Sequence, residues 1–438
     1  MKPDIAKNIL LSEIKNVVSN SEAYSIKPKS DFTRKRKLPL ETLVKTIIGL
    51  ENKNLTNELL DIFNCSSKAA TASAFIQQRS KVKAKIFEDI FYSFTKKISV
   101  GFTDKMRILA VDGSSIQIPT NPNDPETFAR TTDESKSYNL LHLNALYDIN
   151  HKIYTTAIIQ NLKEANESKA LTDMVDRSVI SKALVIADRG YESYNNLAHI
   201  VEKGWYFLIR IKDGKFGIKS GLVLPSEDTF DIQINLKLTR RQTVETKKLF
   251  ADKNHYRFIP STTEFDYLKK NSRKHDPIQF YELQFRIVRF KISNEKYETV
   301  ITNLDESNYK AIKLKELYAA RWGIETSFRE LKYTVGLLNF HSKKVMSIQQ
   351  EVFARLIMYN FASIITSHVI IHKKNQKYTY KANFTIAVHM CKAFYLGKTT
   401  SPDLEAVIAR NTIPIRPGRH IFRQLARKDY HSFLYRVA

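Results

Sequence analysis

Ile108-Leu109-Ala110-Val111-Asp112-Gly113 and, further on, Ala183-Leu184-Val185-Ile186-Ala187-Asp188-Arg189-Gly190 decide how this chain folds. Each is a short unbroken apolar run, rich in branched side chains, that stops at an aspartate and then meets a glycine. Runs of this length and make-up read as strands buried on both faces. Between them, residues 138–149 and 153–160 are apolar and β-branched around Asn150-His151, the pattern of an antiparallel hairpin. Residues 170–179 and 191–203 carry helical spacing, and 205–211 reads as a further strand. Strand, hairpin, helix, strand, helix, strand in that order predicts an α/β unit built on a mixed sheet.

The pattern changes on either side. Residues 38–50 and 86–94 repeat apolar side chains at helical spacing, so the first hundred residues read as helices. A cluster of Lys27, Lys29, Arg34, Lys35, Arg36 and Lys37 precedes them, opposed by Asp31. After residue 213, Ile232, Ile234, Leu236 and Leu238 alternate with polar residues, and Phe285, Ile287, Val288 and Phe290 do so less regularly, as in a mostly β insertion. Thr299-Val300-Ile301-Thr302 reads as a strand returning to the sheet, residues 309–333 as one long helix, and further helices follow to about 395. The tail from Arg410 holds Arg416, Arg419, Arg423, Arg427, Lys428 and Arg436 against the single acid Asp429. This divides the chain into helical residues 1–102, core residues 103–212, a β-rich insertion over 213–296, a second part of the core over 297–370, and a helical, basic region over 371–438.

Hydrophobic residues at 43% and charged ones at 26% describe a chain that buries a core, and 438 residues exceed what one core organises. Lys and Arg number 70 against 45 Asp and Glu, and the net +25 calls for a polyanionic partner, nucleic acid before an anionic membrane surface. There is no signal-peptide pattern and no apolar stretch of the ~20 residues a bilayer needs. The nearest, residues 356–371, contains Asn360, Ser363, Ser367 and His368 and reads as a buried helix. Two cysteines, Cys65 and Cys391, make neither a disulfide framework nor a zinc site, which fits a reducing cytosol.

Asp112 and Asp188 occupy matching places. A carboxylate at the end of a buried strand points rigidly out of the sheet edge, where a hard cation needs oxygen ligands. A turn-initiating aspartate is the plainer reading of either one alone; on neighbouring strands they become a candidate pair. The third element is Tyr318-Ala319-Ala320-Arg321-Trp322-Gly323-Ile324-Glu325-Thr326-Ser327-Phe328-Arg329-Glu330-Leu331-Lys332. At ~100° per residue, Tyr318, Glu325 and Lys332 fall on one side of a helix, with Arg321 and Arg329 four residues either side of Glu325. One acid then sits in a stripe of three cations and a phenol. Ordinary surface ion pairs account for such a stripe less well than a metal-binding Glu325 flanked by phosphate-binding cations. His142, His341 and the other nine histidines lack ligand spacing and read as core or surface; Asp173, Asp176 and Glu192 read as helix-surface acids, and Ser114 and Ser115 as turn residues.

The spacing Tyr318-x2-Arg321-x3-Glu325-x6-Lys332 resembles the Tyr-Arg-Glu-Lys signature of bacterial insertion-sequence transposases of family four. Val111-Asp112-Gly113-Ser114 and Ala187-Asp188-Arg189-Gly190-Tyr191 are similar to that family's first and second acidic motifs, and the resemblance covers roughly residues 105–345. It implies a ribonuclease-H-like mixed-sheet core interrupted by the β insertion, with an all-α N-terminal domain that binds DNA and a helical, basic C-terminal region. It also implies two Mg²⁺ ions (Mn²⁺ as a substitute) held by Asp112, Asp188 and Glu325, with Tyr318, Arg321, Trp322, Arg329 and Lys332 on DNA. Trp322 resembles the residue with which some members flip a base while forming a DNA hairpin. A second tryptophan that some carry in the insertion has no counterpart, since Trp205 falls on an expected core strand. The implied activity is cut-and-paste cleavage and strand transfer on double-stranded terminal repeats and target DNA, by a homodimer in the bacterial cytosol at the nucleoid, away from any membrane. A nuclease or resolvase on the same acidic core, and a non-catalytic DNA-binding repressor descended from a transposase, are the competing readings.

Overall fold

The computed structural model describes residues 1–34, 37–130, 137–212, 217–270, 280–293, 296–371 and 378–415. Lys35, Arg36 and the basic tail from Arg416 to Arg436 lie outside the described residues. The first hundred residues are helical as expected: α1 (Pro3–Val18), α2 (Ser21–Tyr24), α3 (Leu40–Gly49), α4 (Leu55–Ile62), α5 (Ala72–Arg79) and α6 (Lys85–Ser99). Their starts carry local reasons. The Asn54 side chain accepts from Thr56 N at 2.9 Å and Thr71 Oγ1 from Ala74 N at 3.2 Å, pairing amides that a first turn leaves open. In α3, Leu40, Leu43, Val44, Ile47 and Ile48 make one buried stripe.

The sheet follows. It comprises β1 (Arg107–Ile118), β2 (Phe128–Ala129), β3 (Tyr138–Asp148), β4 (Ile153–Asn161), then α7 (Glu167–Arg177), β5 (Ala183–Ala187), α8 (Tyr194–Glu202) and β6 (Tyr206–Arg210). The insertion adds β7 (Phe230–Thr239), α9 (Val244–Leu249), β8 (Tyr256–Phe258) and β9 (Tyr281–Ser293), and β10 (Lys296–Thr302) returns. The order is β2-β3-β1-β5-β6-β10-β9-β7-β8, with β4 also on β3. Strand β3 runs antiparallel to both β4 and β1, whereas β1, β5 and β6 are parallel, which is the ribonuclease-H-like arrangement. The insertion extends this sheet: β10 pairs with both β6 and β9, and β9 with β7.

Three details depart from expectation. The strand holding Asp112 does not end there, because β1 runs on to Ile118 against β3. What ends is its pairing with β5, last seen at Ala110↔Ile186. Ser114 and Ser115 are therefore strand residues, not turn residues. Second, the helix after Asp188 starts at Tyr194; residues Arg189–Tyr191 form a single 3-10 turn that Asp188 caps. Third, the long helix expected over 309–333 is broken into α10 (Ala311–Ala319), α11 (Trp322–Glu330) and a π turn at Leu331–Val335. Bonds three residues apart at Ala320, Arg321, Gly323 and Ile324 tighten the backbone at the break.

The C-terminal part holds α12 (Val345–Thr366), β11 (Thr379–Ala382), α13 (Phe384–Tyr395), α14 (Ser401–Arg410) and β12 (Thr412–Ile415), so a two-stranded ribbon, β11 with β12, joins the expected helices. Helix α12 is buried on every side, from Ile348 to Ile365. One apolar cluster runs from Leu10, Leu43 and Phe87 of the N-terminal helices through Ile357 and Phe361 of α12 to Ala110, Ala145 and Tyr147 on one face of the sheet and Ile324 and Phe328 of α11. Another covers the opposite face, where Leu109, Val111 and Leu146 meet Leu171, Met174 and Val175 of α7. No helix of the described residues is long and apolar enough to cross a membrane.

Charge is buried where α12 meets α4 and α5. Arg79 and Glu351 pair at 2.7 Å, His341 lies 3.1 Å from Glu351 and 3.3 Å from Glu58, and Arg355 reaches Glu351 at 3.9 Å. Burial would raise the Glu351 carboxyl, but Arg79 and His341 outweigh it and hold it at about 2. Burial would lower His341, and Glu351 and Glu58 instead take it to about 9. His341 is thus a core histidine, as read, and it is charged.

Candidate active site

Alternation along β1 sorts its side chains. Leu109 and Val111 join the α7-side cluster and Ala110 the α11-side cluster, so Asp112 belongs on the α11 side. The parallel register aligns Ala110 with Ile186, which carried on two residues sets Asp188 beside Asp112. Helix α11 packs over β1 and brings Glu325 to the same edge. Asp112 feels the other two: burial pushes it up to about 6, Gly113 N and Arg321 oppose this, and Asp188 and Glu325 add to it.

Each acid has a local partner. Asp112 Oδ1 accepts from Gly113 N at 2.9 Å, Asp188 Oδ1 from Gly190 N at 2.8 Å, and Glu325 Oε1 from Arg321 Nη2 at 2.8 Å. Among the described residues, no three His, Cys, Asp or Glu side chains stand at mutual metal-ligand distances. The donor chemistry nonetheless fits a hard divalent ion, with carboxylates from three elements around an edge where burial holds Asp112 above its usual range.

The flanking residues divide. Arg321 lies 5.9 Å from the Tyr318 ring and 5.5 Å from the Trp322 ring, and its buried Nε has no partner among the described residues. Tyr318 is 7% exposed, and burial raises its hydroxyl to about 12. Trp322 is 56% exposed. Lys332 Nζ donates to Ser115 O at 3.1 Å, and burial lowers its pKa against the pull of Asp112. Arg329 is exposed, its charge felt by Glu330. The structure therefore gathers Asp112, Asp188, Glu325, Arg321 and Lys332, and leaves Trp322 and Arg329 facing solvent.

Four neighbours have no part in the site by pattern alone: Glu167 goes unremarked, Tyr191 stands only inside the second motif, Ser115 reads as a turn residue and His142 as core or surface. The signal was present in Gly113 and Gly190, a glycine beside each aspartate, and in the polar residues His142 and Asn144 on a strand face that Leu146 makes apolar. Glu192 is no surface acid either. Its carboxylate accepts from Lys212 N at 2.9 Å and Ile218 N at 2.6 Å, pinning the chain as it leaves β6.

A raised carboxyl costs the fold something. Below about pH 4 Asp112 is protonated folded or unfolded, and no cost arises; above about 6 it is ionised in both, and the metal-free fold bears the full cost. Asp112→Asn should therefore stabilise the metal-free protein by on the order of 1–2 kcal/mol at pH 7, with the gain gone near pH 4. Thermal unfolding at the two pH values checks this, and an equal gain at both would contradict it.

Comparisons with known proteins give the family. The transposase DDE domain family matches residues 103–361, more than half of the chain. The chain belongs to that family, whose members are DNA-cleaving enzymes. It is 23% identical over 344 residues to the transposase InsG for insertion sequence element IS4 from Escherichia coli (strain K12), covering 75% of this chain and 70% of that protein. The cryo-EM structure of the piggyBac transposase synaptic complex with hairpin DNA superposes with a TM-score of 0.45 and 11% identity, over 96% of this chain and 87% of that one.

Proposed function

We propose that this chain is a DNA transposase of the insertion-sequence family-four type, in which Asp112, Asp188 and Glu325 hold two Mg²⁺ ions, or Mn²⁺ in their place, at the scissile phosphate. What supports this reading above all is one sheet edge that carries Asp112 within β1 and Asp188 just past the parallel β5, with Glu325 on the overlying α11, near enough for the Asp112 carboxyl to feel both, and Arg321 and Lys332 beside them. When bound, such ions supply the charge that activates an attacking water or 3′-hydroxyl and that offsets the leaving oxygen. The protein's share is positional. Asp112 is fixed within β1 and Asp188 at the end of β5, and Arg321 orients Glu325. Lys332, anchored on Ser115 O beside Asp112, offers its ammonium to the reacting phosphate. Tyr318, neutral at working pH and packed beside Arg321, serves as a DNA contact and not as a nucleophile. Exposed Trp322 and Arg329 face the substrate side. The substrates are double-stranded terminal repeats and target DNA, bound by a homodimer in the bacterial cytosol at the nucleoid, with residues 1–102 as the helical end-binding domain and 213–296 as the insertion between the two parts of the core.

Linear DNA bearing the element's own terminal repeats tests this. In Mg²⁺ the chain should cut at the repeat ends and join them to a target plasmid. Cutting without joining would favour the nuclease reading, and binding with no product in any divalent ion would favour the repressor. Within this frame Lys332→Ala should weaken end binding only a few-fold, since one phosphate contact among many is lost. It should slow cleavage by about 10–100-fold, since that charge acts at the reacting phosphate. Gel shift and single-turnover cleavage on one preparation separate the two effects; parallel losses in both would count against the assigned role.

A further inference from the structure

Strand β1 has a gap on the face opposite Glu325. Gly113 belongs on the α7 side, and a Cβ there would stand 2.5 Å from His142 Nε2 and 2.6 Å from Glu167 Oε1. The missing side chain leaves room for a pair: His142 Nε2 and Glu167 Oε1 lie 3.1 Å apart. The other oxygen of Glu167 turns toward Asp188. A Cβ placed on Gly190 would lie 3.6 Å from Glu167 Oε2 and 3.0 Å from Asp188 Oδ1, so the two carboxylates share one small space. The Glu167 backbone is well fixed, because it is the first residue of α7 and Asn166 caps that helix through Lys169 N at 2.9 Å. Two buried polar atoms point to something missing from the same space. The Tyr191 hydroxyl, on a side chain 1% exposed, and Asn144 Oδ1, on a residue with no exposure, have no hydrogen-bond partner among the described residues. Asn144 Oδ1 is 3.1 Å from the same Cβ position on Gly113. Tyr191 feels Glu167 first among the acids, then Asp112 and Asp188.

We propose that Glu167 is a fourth carboxylate of the metal centre, serving the ion between Asp112 and Asp188 directly or through one water, and that His142 holds it there. The proposal rests on the metal reading above and extends it. Glu325 closes the centre from the α11 face, and Glu167 closes it from the α7 face. An ion with its water shell supplies the partners that Tyr191 and Asn144 lack. A histidine that donates to one oxygen of a carboxylate leaves the other to the metal side, the way outer partners orient metal-binding groups generally.

Calorimetric titration of Mn²⁺ into the full chain reads this without any DNA cleavage. Glu167→Gln, which keeps shape and removes charge, should weaken binding about 10–100-fold. His142→Gln should weaken it by less, in the same direction. Glu167→Asp keeps the charge but withdraws it by one methylene, and should fall between wild type and Glu167→Gln. Thermal unfolding without metal should stay close to wild type for the two Glu167 variants, since Glu167 has a side chain 43% exposed at a helix start. Asp188→Asn separates the two levels of inference. If Asp188→Asn loses Mn²⁺ and Glu167→Gln binds as wild type does, the fourth carboxylate is refuted and the three-acid site stands. If Asp188→Asn also binds as wild type does, the metal reading itself fails, and this proposal with it.

Discussion

Glu325→Gln should reduce strand cleavage by on the order of a thousandfold or more, about 4 kcal/mol at 1.36 kcal/mol per decade, while DNA-end binding stays within a few-fold of wild type. The substitution keeps volume and helix propensity and removes one charge at the metal. It also loosens Arg321, whose Nη2 donates to Glu325 Oε1 at 2.8 Å, because an amide oxygen accepts that bond without the charge. That guanidinium is buried beside Tyr318 and cannot simply return to water. It should turn to Asp112, which already feels it, and draw that carboxyl down from about 6. The variant therefore carries two readouts. Single-turnover cleavage of a labelled terminal repeat reports the loss of catalysis, and the pH dependence of metal-free stability reports the shift at Asp112. Undiminished cleavage in Mg²⁺ would remove Glu325 from the centre.

Far from that edge, Glu351→Gln should cost roughly 3–5 kcal/mol of stability, because it strands Arg79, Arg355 and His341 as buried cations with one carboxylate fewer. Glu351 has no solvent exposure and Arg79 and Arg355 have 1% each, so water cannot stand in for the lost charge. The same cluster sets a pH window. Glu351 is held at about 2 against an ordinary 4.5, so its contribution is complete above about pH 4.5 and lost as pH falls through 2. His341 is held at about 9 against 6.5, so its contribution is complete below about pH 6.5 and lost as pH rises through 9. Urea unfolding at pH 5.5–6 should give the largest difference between wild type and variant. A difference below about 1 kcal/mol there would mean that the cations find other partners.

Much of this centre could be read before any coordinates. Two unbroken apolar runs ending in Asp112 and Asp188, and a hairpin between them, are local patterns, and strand burial writes itself locally as runs of branched residues. The signature around Glu325 was legible for the same reason, since residues four and seven apart meet on one helix. The break at Ala320–Arg321 was not, because no proline or paired glycine marks it and the backbone merely tightens there. Glu167 and His142 were hidden for a different reason. They meet across the vacancy at Gly113, between a strand and a helix start 25 positions apart, and no periodicity within either element encodes that encounter. Asp112 looked like a strand end because its apolar neighbours stop there; pairing with β3 carries the strand on through Gly113, Ser114 and Ser115 to the buried Ile116 and Ile118. The basic tail from Arg416 onward lies outside the described residues.

Helix α12 has no wet face, and what keeps it dry on one flank is the N-terminal helices. A gene copy that loses its first hundred codons would therefore not leave behind a free-standing cutting core. It would leave a long bare oily helix, with the charged cluster at Glu351 opened on the side that Arg79 and Glu58 supply. The transposase DDE domain and the helices that precede it thus draw on one apolar core, so neither is a unit that the other merely decorates.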